Sequence, residues 1–265
     1  MSKIARVVLP DRTIRYGLVQ DEQTLDLIEG SIYTKWQPTG VTVPLAEVQL
    51  LPPVDPPNIF AIGLNYRAHA LESGTEIPER PVIFIKATTA LCAPGDPIIL
   101  PKVAPNEVDY ECELAIIIGK TARRVTEAEA LNYVLGYTCA NDVSARDCQQ
   151  RIDKQWARAK SFDTFAPMGP WLTTELEPDN VRVQTRLNGK TMQDSNTNDL
   201  IFSCRQLIAY LSNSFTLIPG TIIMTGTPSG VGFARKPQVF LRPGDVVEIE
   251  VEGIGVLRNP VIAEP

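Results

Sequence analysis

Glu111 and Glu113 stand two residues apart in the stretch "VDYECELAIIIG". On a strand, side chains at i and i+2 share a face. Both carboxylates then point the same way, as a site for a hard cation requires. The chain carries its own control in "DVVEIEVEG", where Glu248, Glu250 and Glu252 alternate with Val247, Ile249 and Val251. That is the ordinary pattern of a strand with one solvated face. The Glu111 stretch continues differently: Ala115 and Ile117 follow on the glutamate face, and Cys112, Leu114, Ile116 and Ile118 lie on the other. Both faces turn apolar, which marks a central, buried strand. Two unpaired carboxylates are costly there, and a divalent cation removes the cost. "CANDVSARDCQQ" offers Asp142 as a third oxygen ligand where an apolar run meets a polar turn, although alone it reads better as a cap or Asx-turn. Three carboxylates without His or Cys favour Mg²⁺, with Mn²⁺ or Ca²⁺ as alternatives, over Zn²⁺.

The second chemical feature is the chain's single histidine, His69 in "GLNYRAHALESG", with Glu72 three positions on. A lone His is more often structural than catalytic. If "YRAHALES" forms a helical turn, positions i and i+3 lie on one face, and Glu72 can fix the tautomer of His69. The polar flank "ESGTEIPERP", with Gly74 and Pro78, suits a loop that moves. "MTGTPSGVG" supplies Gly226, Thr227 and Gly230. Backbone N–H groups in such a turn can cradle a carboxylate, or the segment is a plain β-turn. Tyr66, Lys86, Arg146, Gln149 and Lys160 each have an ordinary reading as surface or core residues.

The elements that must position these groups are mostly strands. Residues 3–19 read as a hairpin around "PDRT". "PVIFIK", "YECELAIIIG", "GTIIMTG" and "DVVEIEVEG" are further strands, and "VRVQTRLNG" ends in the hairpin dipeptide Asn-Gly. Two helices carry capping boxes: Thr126 with Glu129 before "AEALNYVLG", and Ser203 with Gln206 before "LIAYLSN". Pro52, Pro53, Pro56 and Pro57 cannot sit inside a helix or a central strand. The expected division is a small β-rich unit over 1–51, a proline-rich linker over 52–57 and a main domain over 58–265. Many strands with few helices predict an α+β fold around a large mixed sheet, and no G-x-G-x-x-G supports a dinucleotide fold.

Composition bounds the function. The chain has 265 residues, 44% hydrophobic, with a net charge of −6. The acidic balance argues against nucleic-acid binding. No apolar run is long enough to span a membrane, and the N-terminus does not read as a leader. Five cysteines without a C-x-x-C point to a reducing compartment. The expected location is the cytoplasm, or the mitochondrial matrix if a transit peptide has been removed.

The motifs "GLNYRAHALE", "FIKATTAL", "VDYECELAIIIG", "GYTCANDVSARDCQ", "KSFDTFAPMGPW", "RLNGKTMQDSNTNDLIF", "IPGTIIMTGTPSGVG" and "RPGDVVEIEVEGIG" occur in this order. In their order and spacing the chain resembles the fumarylacetoacetate hydrolase family over residues 58–260. "KQWARAKSFDTFAPMGP" and "RKPQVFLRPGD" are nearest the branch that includes oxaloacetate tautomerases. The resemblance implies a β-rich main domain whose mixed sheet rolls into a barrel-like core, and a homodimer. It implies that Glu111, Glu113 and Asp142 bind the metal, that His69 and Glu72 form a catalytic dyad on a lid, and that Lys160 completes the polar site. Tyr66, Lys86, Arg146, Gln149, Gly226 and Thr227 are the corresponding substrate-binding candidates. Asn65 departs from the founding hydrolases, which carry a further acidic metal contact there.

The chemistry expected of such a site is enolisation of a small 2-oxo acid, whose C1 carboxylate and C2 carbonyl can chelate one divalent ion that stabilises the enolate. Oxaloacetate tautomerisation or decarboxylation is the leading expectation. The alternatives are C–C hydrolysis of acylpyruvates or fumarylpyruvate and isomerisation of 2-hydroxyhepta-2,4-diene-1,7-dioate. A catalytically silent metal- or carboxylate-binding module is the reading outside enzymology, and it leaves the dyad without a purpose.

Overall fold

Cys112–Ile118 runs through the centre of the molecule with every residue buried. In the computed structural model, which describes residues 2–21 and 23–265, it pairs antiparallel with Val134–Asn141 on one side and with Ile222–Met224 on the other. Ile222–Met224 pairs in parallel with Ile59–Gly63, which pairs antiparallel with the edge strand Val82–Lys86. On the far side, Val134–Asn141 pairs with Ala166–Thr173, which pairs with Lys3–Val8. The strands Ile14–Val19, Thr24–Gly30 and Trp36–Pro44 then complete this side. Met1 and Glu22 belong to the expected N-terminal unit and lie outside the described residues.

This 12-stranded sheet is open, ending on Trp36–Pro44 and Val82–Lys86. The expected barrel-like closure is therefore corrected. Lys3–Val8 pairs with the end of Ala166–Thr173, so the N-terminal strands extend the sheet, and its two end strands do not pair with each other. A second, five-stranded sheet runs Lys190–Asn196, Arg182–Leu187, Val246–Val251, Gly255–Ala263, Ile98–Leu100. It packs on the first across Cys112–Ile118, Val134–Asn141 and Ala166–Thr173. The Trp171 indole N–H, donating to Ile254 O at 2.7 Å, ties the two layers. Pro52, Pro53, Val54 and Pro56 are buried between the N-terminal strands and Ile59–Gly63.

The helix Cys204–Ser214 forms with its reciprocal Ser203–Gln206 cap in place and buries Leu207, Ile208 and Leu211. The helix expected after Thr126 does not form. The Thr126 hydroxyl does donate to Glu129 at 2.8 Å, but only a 3₁₀ turn over Ala130–Tyr133 follows. Val134, Gly136, Tyr137 and Thr138 are poor helix residues, and pairing on both edges holds Val134–Asn141 as a strand. Among the described residues no helix is long and apolar enough to cross a membrane.

Candidate active site

The antiparallel register builds the acidic cluster. Cys112 lies opposite Asn141 and Glu113 opposite Ala140, so Glu111 and Asp142 face each other where the strands end. The join is held by Asp142 N–H donating to Glu111 O and by Glu111 N–H donating to the Asn141 side chain, both at 2.9 Å. Glu111, Glu113 and Asp142, all buried, each offer an oxygen within 4.8 Å of the others.

Three cations enter from other elements. Lys86, at the end of Val82–Lys86, donates to Asp142 Oδ1 at 2.5 Å. Lys160, at the end of the short helix Ala157–Lys160, bridges Glu111 Oε2 at 2.8 Å and Asp142 Oδ2 at 2.6 Å. Arg146 reaches Glu111 Oε1 at 2.7 Å and Asp109 Oδ2 at 2.8 Å. Burial alone would raise the Glu111 carboxyl, but the charges of Lys160 and Arg146 reverse this and bring it down to about 2. Burial would lower the Lys160 ammonium, but Asp142 and Glu111 outweigh it and the net direction is up. Lys86 moves down, because its complete burial outweighs Asp142.

Glu113 is the exception. It accepts a 2.7 Å hydrogen bond from Gly226 N–H and, among the described residues, pairs with no Lys or Arg. Burial first, then the charges of Asp142 and Glu111, push its carboxyl well above the ordinary value. Gly226 approaches this closely because its φ is +102°, and a Cβ there would come within 2.7 Å of Asn65 Cβ. Asn65 is spent on the same loop: its amide donates to Thr225 O at 2.7 Å and Phe202 O at 3.1 Å, and accepts from Phe202 N–H at 2.9 Å. It is a backbone clamp beside the cluster.

These residues fit a hard divalent ion. Four buried carboxylates (Asp109, Glu111, Glu113, Asp142) meet three cations (Lys86, Arg146, Lys160), which leaves one negative charge, at Glu113. The donors are all oxygen. Each carboxylate oxygen carries two lone pairs, so the lysine bonds and ligation can coexist.

His69 and Glu72 lie on the helix Arg67–Ser73, with Nδ1 of His69 3.2 Å from Glu72 Oε2. Both Glu72 oxygens accept from Gly230 N–H at 3.0 Å, and Ala68 N–H donates to Asp199 at 3.0 Å. The helix is thus pinned at both ends over the acidic cluster. Burial acts to raise Glu72, but the His69 and Gly230 hydrogen bonds win and its carboxyl moves down. With Nδ1–H directed at a carboxylate, Nε2 is the basic nitrogen.

A cavity of about 640 Å³ is lined by His69, Glu72, Glu111, Arg146, Gln149, Lys160 and Thr227 among others, so it meets the acidic cluster at Glu111, while Glu113 and Asp142 are not on its wall. Tyr66, Lys86 and Gly226, expected to bind substrate, are not on its wall. Tyr66 is fully buried beneath the helix start, Lys86 is committed to Asp142, and the Gly226 N–H to Glu113. Two participants were not singled out from the sequence. Asp109 holds Arg146 (Nε to Oδ2, 2.9 Å) and accepts from the N–H groups of Gly232 and Phe233 at 2.8 and 2.9 Å. Its signal was the alternation 109, 111, 113. Gln193 is buried and holds the Thr227 hydroxyl and Pro228 O, both at 2.8 Å, and no spacing rule points to it.

The chain matches the family model described as fumarylacetoacetate (FAA) hydrolase C-terminal over residues 58–262. The chain belongs to the fumarylacetoacetate hydrolase family. Residues 2–53 match a second model, described as Rv2993c-like, N-terminal. A mitochondrial oxaloacetate tautomerase of Bos taurus is 43% identical over 259 residues, which is 96% of this chain and 81% of that protein. Among solved structures, the 2-hydroxyhepta-2,4-diene-1,7-dioate isomerase from Mycobacterium marinum superposes with a TM-score of 0.89 at 38% identity, covering 100% of this chain and 99% of that one. The fumarylacetoacetate hydrolase of Exiguobacterium antarcticum gives 0.90 at 36% identity, covering 100% of both chains. Family membership thus agrees with the mostly β architecture and with the motifs that carried the resemblance.

Proposed function

We propose that this protein is a divalent-metal-dependent enzyme that moves a proton on enolisable 2-oxo acids, with oxaloacetate keto–enol tautomerisation as its leading reaction. The observation that carries the reading is one cavity that opens both onto Glu111, a member of an acidic cluster one cation short, and onto an oriented His–Glu pair. The tautomerase from Bos taurus supports the choice of substrate and the isomerase from Mycobacterium marinum supports proton transfer. Glu111, Glu113 and Asp142 would hold the ion, and Mg²⁺ fits their oxygens. When bound, such an ion supplies Lewis acidity to a chelating 2-oxo acid.

The chain's own residues do the rest. Nε2 of His69 takes the proton from C3 of the ketone and returns it to oxygen. Glu72, fixed by Gly230 N–H, keeps Nδ1 protonated and stabilises the imidazolium during the transfer. Lys160 and Arg146 keep Glu111 ionised. The Thr227 hydroxyl, whose oxygen already accepts from Gln193, has its proton available for a substrate oxygen. The helix Arg67–Ser73 closes the cavity over the reacting atoms and limits water.

The test is turnover of oxaloacetate (enol loss and CO₂ release followed separately) and of acetylpyruvate, each with Mg²⁺ and with EDTA. Mg²⁺-dependent tautomerisation supports the reading. Release of CO₂ or cleavage of acetylpyruvate as the faster reaction would replace tautomerase by decarboxylase or hydrolase. No turnover of any substrate would leave a binding module.

A further inference from the structure

The second sheet reaches the reaction cavity through one buried amide. Gln193 lies on Lys190–Asn196, opposite Thr185. Its Oε1 accepts from the Cys112 N–H at 2.9 Å and from the Thr185 hydroxyl at 2.7 Å. Its Nε2 donates to Pro228 O and to Thr227 Oγ1, both at 2.8 Å. These bonds use both lone pairs and both N–H groups of the amide.

Two of the partners can play only one role. A backbone N–H only donates and a backbone carbonyl only accepts. Cys112 and Pro228 therefore fix which end of the amide is oxygen, because a flipped amide would set N–H against N–H and oxygen against oxygen. Facing Nε2, Thr227 Oγ1 must accept. A hydroxyl has a single proton, and that of Thr227 meets no protein acceptor among the described residues. Thr227 lines the cavity, so this proton is left for a bound ligand.

We infer that Gln193 is a positioning residue, which holds Thr227 as a permanent hydrogen-bond donor to a carboxylate or carbonyl oxygen of the substrate. The inference rests on the reading of the cavity as a 2-oxo acid site. It gives the second sheet a part in the reaction, although that sheet supplies neither the acidic cluster nor the His–Glu pair.

Gln193→Glu tests it. One carboxyl oxygen can still accept from Cys112 and Thr185. The other, whether ionised or protonated towards Pro228 O, offers Thr227 an acceptor where the wild type has a donor. The Thr227 proton then turns away from the cavity, and Thr227→Val removes it outright. Oxaloacetate kinetics and calorimetric binding of oxalate, both with Mg²⁺, are compared in wild type, the two single variants and the double. Each single variant should weaken oxalate binding and lower kcat/KM roughly ten- to a hundredfold, the worth of a hydrogen bond to a charged acceptor. The double variant should be no worse than Thr227→Val alone, because the two residues act through one proton. Thr227→Ser, which keeps the hydroxyl, should stay near wild type. Gln193→Met, which offers Thr227 neither donor nor acceptor, gives the same cycle if the glutamate variant does not fold. A loss that is as large with valine at 227 as with threonine would make Gln193 only a tie between the two sheets and overturn the inference. Wild-type affinity and kcat/KM in Gln193→Glu would overturn it too. Both results leave wild-type turnover of oxaloacetate, and with it the proposed function, standing. If the wild type neither binds oxalate nor turns over oxaloacetate, both readings fall.

Discussion

Glu113→Gln should act in opposite directions on the metal-free and the metal-loaded protein. Glu113 is the buried carboxylate without a cation, held by one hydrogen bond from Gly226 N–H, which a glutamine oxygen can still accept. In the metal-free protein its folded pKa lies well above the ordinary 4.5. The stabilisation from the protonated form is therefore complete below the unfolded value and is lost as pH rises towards the raised folded one. Metal-free wild type should lose stability with a slope of up to about 1.4 kcal/mol per pH unit in that window. Glu111, brought down to about 2, does the reverse, contributing stability above its ordinary 4.5 that is lost as pH falls through about 2. The glutamine variant removes the first slope and keeps the second. Metal-free Glu113→Gln should then be the more stable protein at pH 8.

With metal the order reverses. At an ion concentration of 100 times the dissociation constant, binding stabilises by about 2.7 kcal/mol. For a chain of this size that is a rise in Tm of roughly 5–10 °C. Outer partners of a metal site are worth about 10–100-fold in affinity, and a charged ligand at least as much. At the same Mg²⁺ concentration the variant would keep about 1.4 kcal/mol after a tenfold loss and about 0.4 kcal/mol after a hundredfold loss, a rise of roughly 1–6 °C. Differential scanning fluorimetry with EDTA and with Mg²⁺, from pH 5 to 9, reads all four states. An unchanged Mg²⁺-dependent rise in Glu113→Gln would refute the placement of the ion. A metal-free wild type flat across that range would refute the account of Glu113.

Three further outcomes are expected. His69→Ala should lower kcat by about 10²–10⁴-fold with Mg²⁺ affinity unchanged, and adding Glu72→Gln should cost little more, because the two act as one unit; full activity in His69→Ala would return the histidine to a structural role. Asp109→Asn breaks a buried ion pair with Arg146, so the urea midpoint should fall by an amount equivalent to roughly 3–5 kcal/mol; an unchanged midpoint would mean that Glu111 alone holds Arg146. Light scattering should find the homodimer implied by the family, at twice the 29.2 kDa of one chain, and a species of one chain's mass at micromolar concentration would contradict it.

The elements written in local signals were legible in the sequence. The Ser203–Gln206 box marks the start of Cys204–Ser214, and the Asn188-Gly189 dipeptide joins Arg182–Leu187 to Lys190–Asn196. The apolar continuation on both sides of Glu113 foretold a fully buried strand. The same kind of signal misled at Thr126, where a capping pair formed but long-range strand pairing decided the next eight residues. The open sheet was not legible, since Lys3–Val8 extends it by pairing with Ala166–Thr173, a contact between residues more than 160 apart. At the site, the meeting of Glu111, Glu113 and Asp142 follows from two local patterns and one antiparallel register. The commitments of Lys86 and Tyr66 do not, because only the packed structure shows one lysine sealed onto Asp142 and the tyrosine buried beneath its helix.

The charge count also changes what the cations are for. Arg146 and Lys160 are the cations that a dicarboxylate substrate would meet in the cavity. In the structure both are bound to protein carboxylates, and Lys86 closes the remaining side of Asp142. Their work is to keep Glu111 ionised in a buried site, whereas Glu113 is left to bind either a proton or the metal. A cluster of net −1 becomes +1 with a divalent ion, and one substrate carboxylate returns it to zero.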